Sequence, residues 1–139
     1  MVHIALYYGL VLLVVVIALV RGDREIRIAA IVCLCASALS TALINVETQI
    51  AVSVALIDLG MLAFFVALAL TTHRFWPLWA AGLQLTTLMG HGLRLLQPSL
   101  LNIAYAAAMR FWAYPILLIL LAAALRSDRY RRLGLDFSA

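Results

Sequence analysis

Two ionisable side chains lie inside long apolar runs and are the first candidates for chemistry. Asp58 interrupts the run 48–70, and Arg110 interrupts the run 99–125. A charged group at membrane depth is costly unless it is paired or hydrated. At 1.5 Å of rise per residue, both groups lie about 13 Å below the outer end of the predicted helical bundle. Equal depth predicts an Asp58–Arg110 ion pair, provided that the two helices are neighbours.

A second set of polar residues recurs along the run 75–96, at intervals of three, four and three residues. Its members are Gln84, Thr87, His91 and Arg94. On a helix this spacing places them within about 80° of one another. A histidine at this depth can be a hydrogen-bonded neutral group, a ligand or a proton-transfer group. The spacing therefore predicts a polar stripe that faces other helices.

Further polar residues are expected at similar depth. Glu47 shares a helical face with Asp58, and Asn102, Ala106, Arg110 and Tyr114 recur every four residues. The predicted site is an outer-half pocket or ion pair that contains Asp58, Arg110, His91, Arg94, Gln84, Asn102, Tyr114 and Glu47. An alternative is that these groups only form hydrogen bonds between helices and hold the bundle together.

The elements that must position these residues follow from composition. The 139 residues are 67% hydrophobic and 12% charged, with a mean hydropathy of +1.12, which excludes an ordinary water-soluble fold. Apolar runs near the length that crosses a bilayer are separated by short polar turns. The predicted spans are 2–20, 26–44, 48–70, 75–96 and 99–125. The fold class is thus an all-α integral membrane protein, with five transmembrane helices in a short-looped antiparallel bundle.

Arginine placement predicts the orientation of this single domain. All ten basic residues are arginine, and eight of them fall on one side of a five-span bundle. Cytoplasmic loops retain excess basic residues. We therefore expect the N-terminus outside, a cytoplasmic basic tail at 126–139, and location in a bacterial-type inner membrane.

Motifs for other chemistry are missing from the sequence. There is no zinc-protease, hydrolase or phosphate-loop motif. Cys33 and Cys35 point about 200° apart on a helix, which suits neither a disulfide nor a shared metal. We expect no cofactor, no metal and no nucleic-acid partner, and an enzyme is the less favoured class.

Three functions remain open at this stage. The first is an accessory or assembly subunit of a larger membrane complex, because a short-looped bundle suits that role. The second is an oligomeric carrier or channel that moves an anion or a proton through the outer-half pocket. The third is a protein that binds or modifies a lipid headgroup. Expected partners are membrane lipids and either another membrane protein or further copies of this chain.

Overall fold

The fold consists of α-helices throughout the part of the chain that is described. The computed structural model describes residues 2–44, 50–97 and 102–134, with side chains except at 2–5, 44, 50–51, 95, 102–110 and 112. These residues form five helices and no strand. The helices are α1 (Val2–Arg21), α2 (Arg24–Ile44), α3 (Ile50–Thr71), α4 (Trp76–Leu96) and α5 (Asn102–Arg132). The all-helical expectation is confirmed, and each helix begins within three residues of the predicted start of its span.

Length and composition mark two of the helical segments as able to cross a membrane. Among the described residues these are Arg24–Leu43 and Val52–Thr71, and Leu6–Arg21 forms a shorter apolar helix. A helix of 20 residues is about 30 Å long, which matches the hydrocarbon core of a bilayer. The described part of the chain therefore contains two candidate spans, which weakly suggest membrane association.

The contacts divide the chain into two compact units. One contains Met1–Leu34 and Leu117–Ala139, and the other contains Cys35–Ile116. In the first unit, small and branched side chains such as Val14, Ala18 and Leu120 are buried. Small residues let helix backbones approach closely, which suits helix packing in a membrane.

A glycine permits the tight turn between α1 and α2 in the first unit. Gly22 donates its backbone N–H to the Ala18 carbonyl over 2.9 Å, and its own carbonyl accepts the Nε–H of Arg27 over 2.9 Å. A Cβ at Gly22 would collide with the Ala18 carbonyl oxygen and lie 2.8 Å from Cγ2 of Ile26. The turn therefore requires a residue without a side chain.

The charged end of the first unit is organised by Asp128 on α5. Its carboxylate accepts hydrogen bonds from Arg131 at 3.0 Å and lies 3.1 Å from Arg132 and 3.8 Å from Arg21. These contacts stabilise the last turns of α5, because Arg131 and Arg132 follow Asp128 by three and four residues. They also bring the ends of α1 and α5 together. The helix thus continues through Arg132, into the segment predicted to be a tail.

The second unit contains an antiparallel pair formed by α3 and α4. These helices pack against each other and are joined by the short segment from Thr72 to Phe75. Near the turn, the rings of Phe65 and Trp76 meet edge to face with centroids 6.5 Å apart. Pro77 lies in the first turn of α4, where a backbone N–H would have no partner within the helix, and its fixed φ angle suits that turn. The pair positions the polar stripe of α4 against α3.

Candidate functional site

The α3–α4 pair places Asp58 opposite the polar stripe of α4. Asp58 lies 13 residues before Thr71 at the end of α3, and His91 lies 15 residues after Trp76 at the start of α4. Nearly equal distances from one tight turn bring two antiparallel positions face to face. The buried residues of α3 recur with helical spacing on the same side, at Met61 and Phe65.

The Asp58 carboxylate is held by two side chains from α4. Its Oδ2 lies 2.7 Å from Nε2 of His91, and its Oδ1 accepts a hydrogen bond from the Gln84 amide over 2.8 Å. The same amide also donates to the backbone carbonyl of Asp58 over 3.3 Å. Gln84 and His91 are seven residues apart and therefore lie on one face of α4, two turns from each other. We call these three residues the Asp58 cluster.

Burial shields the cluster unequally. The side chain of His91 is 5% exposed, whereas that of Asp58 is 20% exposed. Gln84 is also buried. The carboxylate is thus the member that a water, an ion or another polar group can reach most easily.

The hydrogen bonds restrict where a proton can reside. Because Gln84 donates to Oδ1, that oxygen acts as an acceptor, and any proton on the carboxyl group belongs on Oδ2. Oδ2 and His91 Nε2 are 2.7 Å apart, so a proton must lie between them, and either side chain can supply it. The arrangement can therefore hold a proton between the two side chains.

Apolar packing closes the cluster on the side that leads to the α3–α4 turn. Met61 and Phe65 on α3 are buried there, together with Ala80 and Ala81 on α4. No ionisable side chain occurs among these four residues. Towards the other end of the pair, His91 is followed on its own face by Arg94, whose side chain is half-buried. Beyond the Asp58 cluster, these apolar side chains lie towards the α3–α4 turn, and Arg94 lies towards the other end of the pair.

Thr87 of the predicted stripe and Tyr114 of the predicted site have other positions. Thr87 lies between Gln84 and His91 and is buried, but its hydroxyl donates to the carbonyl of Leu83 in its own helix over 3.2 Å. Tyr114 lies on α5 with a half-buried side chain. The prediction that Gln84 and His91 share a face is in accord with their common contact with Asp58.

Three of the predicted site residues cannot be placed in this cluster. Glu47 lies outside the described residues. Arg110 and Asn102 lie in α5, but their side chains are outside the described part of the chain. The Asp58–Arg110 ion pair therefore remains a prediction.

Sequence reasoning missed the contact between Asp58 and His91. The signal that could have found it is the short turn between the two apolar runs, which makes α3 and α4 neighbours. Measured from that turn, Asp58 and His91 are almost level. Helical depth and charge alone had pointed to Arg110 as the partner of Asp58.

Metal-ligand geometry is not found in the described side chains, which contain no group of three or more His, Cys, Asp or Glu residues close enough to hold an ion. The Asp58 cluster contributes one carboxylate, one imidazole and one amide. These groups can donate, accept and hold protons. Comparisons with known proteins find no matching family model, no similar curated protein and no similar solved structure.

Proposed function

We propose that this chain is a small multi-pass inner-membrane protein that binds and exchanges a proton at the Asp58 cluster, as part of a carrier or channel. The observation that carries the proposal is the 2.7 Å contact between Asp58 Oδ2 and His91 Nε2. Ionisable groups inside a membrane protein are functional candidates by default, and pairs of them occur in proton and ion pathways.

Depth supports this proposal. Eight residues separate Asp58 from Ile50 at the start of α3, and 13 separate it from Thr71 at the end. At 1.5 Å per residue these segments are about 12 Å and about 20 Å long. In a bilayer spanned by α3, the carboxylate would lie near the middle of the hydrocarbon core, where a change of charge has the largest energetic consequence.

One-sided access fits the same role. On the side of the α3–α4 turn, Phe65 and its apolar neighbours separate the cluster from the loop. On the other side, His91 and Arg94 offer polar groups. In the proposed orientation this polar side faces outward, so the proton is exchanged with the external side in the state described here.

Proton flux into liposomes tests the proposal. The purified chain is reconstituted around a trapped pH-sensitive dye, and a potassium diffusion potential drives proton movement. The unaltered chain should acidify the lumen faster than empty liposomes, while Asp58→Asn and His91→Gln should reduce the rate at least tenfold. Thr87→Val is the matched control, because Thr87 lies in the same stripe but binds only its own helix. Equal flux from correctly folded Asp58→Asn protein would refute the proposal.

The five-span topology belongs to the same proposal. It is supported by the contact of Arg21 with Asp128, because that contact brings the ends of α1 and α5 together, and both ends share a side in a five-span chain. Reporter fusions at each terminus test it directly. The expected result is an external N-terminus and a cytoplasmic C-terminus, and a cytoplasmic N-terminus would overturn both the topology and the outward access.

An accessory or assembly subunit is the second candidate, favoured by the exposed face of α4. Large apolar side chains and two glycines follow one another along this face, at intervals that alternate between four and three residues. The series is Leu78, Gly82, Leu85, Met89, Gly92 and Leu96. Among the described residues, no atom of another part of the chain lies within 4 Å of a Cβ built at Gly82 or Gly92, so a neighbouring helix could approach closely at both positions.

Purification from the native membrane in gentle detergent separates the two candidates. One stoichiometric larger partner, lost in Gly82→Leu protein but kept in Asp58→Asn protein, would support the subunit role. A homo-oligomer without other chains would favour the carrier. In the carrier role, Asp58→Asn abolishes flux and leaves assembly intact.

A further inference from the structure

A shallow pocket opens at the turn between α3 and α4, at the opposite end of this pair from Arg94. Its volume is about 240 Å³, and its lining residues are Ala69, Thr72, His73, Arg74, Phe75 and Leu78. Asp58 is not among them and lies more than three helical turns away along α3. The pocket is therefore separate from the proton site.

The polar side of the pocket suits an anion. Arg74 and His73 are adjacent, and no acidic residue lines the pocket. The Oγ1 of Thr72 accepts the backbone N–H of Arg74 over 3.4 Å, and its own O–H can still donate to an anion. A guanidinium and a hydroxyl together provide the donors that phosphate oxygens accept.

The start of α4 adds a smaller positive potential. Phe75 is the N-cap residue and provides no side-chain cap, and the first turn of α4 contains no acidic residue. The amino end of a helix carries a partial positive charge. The carbonyl end of α3 lies on the other side of the same turn and offsets part of this potential. The Arg74 guanidinium must therefore supply most of the attraction for an anion.

The remaining lining residues are apolar and open outward. Phe75 is 78% exposed and Leu78 is 61% exposed. The pocket is smaller than the roughly 300–1,000 Å³ that encloses a drug-sized ligand. It can hold a headgroup, while chains attached to that headgroup would run outside along Phe75 and Leu78.

We propose that this pocket binds the phosphate of an anionic phospholipid, with Arg74 as the principal contact and Phe75 and Leu78 beside the acyl chains. The combination of a basic pocket and an exposed apolar border distinguishes a lipid from a free anion. The site lies at the end of two apolar helices, which is the level of the headgroups in a bilayer. It does not depend on proton exchange at the Asp58 cluster.

Lipid retention measured by native mass spectrometry tests this site. The full chain is placed in nanodiscs that contain equal amounts of phosphatidylglycerol and phosphatidylcholine, then released and weighed with its bound lipids. The unaltered chain should retain one phosphatidylglycerol preferentially. Arg74→Gln should weaken retention about fivefold or more, the factor that corresponds to about 1 kcal/mol for one arginine near an anionic surface.

Arg129→Gln is the matched control, because it makes the same change at an exposed arginine on α5 outside the pocket. Its retention should change less than twofold. Arg74→Lys keeps the charge without the planar fork and should give an intermediate result, which also covers the case in which Arg74→Gln fails to fold. Equal retention by the Arg74 and Arg129 variants would overturn the site. Release of phosphatidylglycerol by millimolar inorganic phosphate would also overturn it, because the pocket would then bind a free anion.

Discussion

Asp58 Oδ2 lies 2.7 Å from His91 Nε2, and this contact joins the middle of α3 to the carboxyl-terminal part of α4. Gln84 holds the other carboxylate oxygen, so Asp58 is fixed between two side chains of one helix. Such an arrangement links the two helices and, in the proposed function, holds a proton between them. Stability measurements and flux measurements address these two consequences separately.

A double-mutant cycle measures the energy of the Asp58–His91 contact. Asp58→Ala removes this contact from the buried His91, and His91→Ala leaves Asp58 with the hydrogen bond from Gln84. We expect each change to cost about 1–3 kcal/mol. The double variant should cost less than the sum, with a coupling energy of about 0.5–3 kcal/mol. Reversible unfolding in mixed micelles provides the measurement. Asp58→Ala combined with Thr87→Val is the control and should be additive.

The same cycle tests the predicted Asp58–Arg110 ion pair. Arg110→Ala is combined with Asp58→Ala, and the coupling energy is compared with that for His91. A coupling of about 1 kcal/mol or more for both partners would indicate one network of three charged or ionisable groups. Coupling to His91 alone would assign the carboxylate to α4 and remove Arg110 from the site.

Much of the fold could be predicted because apolar runs and short turns are visible in the sequence. The helix starts follow the predicted spans closely, and the spacing of Gln84 and His91 correctly placed them on one face. Which helix would supply the partner of Asp58 was less evident, because residue depth does not specify the neighbours of a helix. The continuation of α5 to Arg132 was missed as well. The last turns of α5 are stabilised by the contacts of Asp128 with Arg131 and Arg132. The sequence argument used these arginines only to predict orientation.

Acid should weaken the charged end of the first unit. The hydrogen bond from Arg131 is the largest influence that lowers the pKa of Asp128, followed by Arg132 and the charge of Arg21, while burial opposes the shift. A lowered folded-state pKa means that the stabilisation is present above the ordinary value of 3.8 and is lost as pH falls through the lower folded value. Asp128→Asn should therefore lower the melting temperature at pH 7, and the difference should shrink below about pH 4. A difference independent of pH would contradict this assignment.

Gly22→Ala should destabilise the turn between α1 and α2. The new methyl group would collide with the Ala18 carbonyl oxygen and lie 2.8 Å from Ile26 Cγ2. Overpacking of this kind costs about 1–3 kcal/mol. Gly60→Ala is the control, because no atom lies within 4 Å of a Cβ built there on α3. The control should be neutral or stabilising, since alanine is the better helix former by about 0.5–1 kcal/mol. Similar losses for both variants would exclude the steric cause.

The aromatic contact near the α3–α4 turn should contribute to both stability and closure of the proton site. Phe65→Leu removes the edge-to-face contact with Trp76, which is worth about 0.5–1.5 kcal/mol beyond area burial. It also loosens the apolar packing on that side of Asp58. Passive proton leak should therefore rise, while the contacts of Gln84 and His91 with Asp58 remain.

Trp76→Phe is the comparison, because it keeps an aromatic ring there. It also removes the buried indole N–H, which has no acceptor among the described residues. Its stability should stay within about 1 kcal/mol of the unaltered chain, since losing an unsatisfied donor offsets part of the lost packing. Unchanged leak and stability in Phe65→Leu protein would show that this contact neither supports the helix pair nor seals the site.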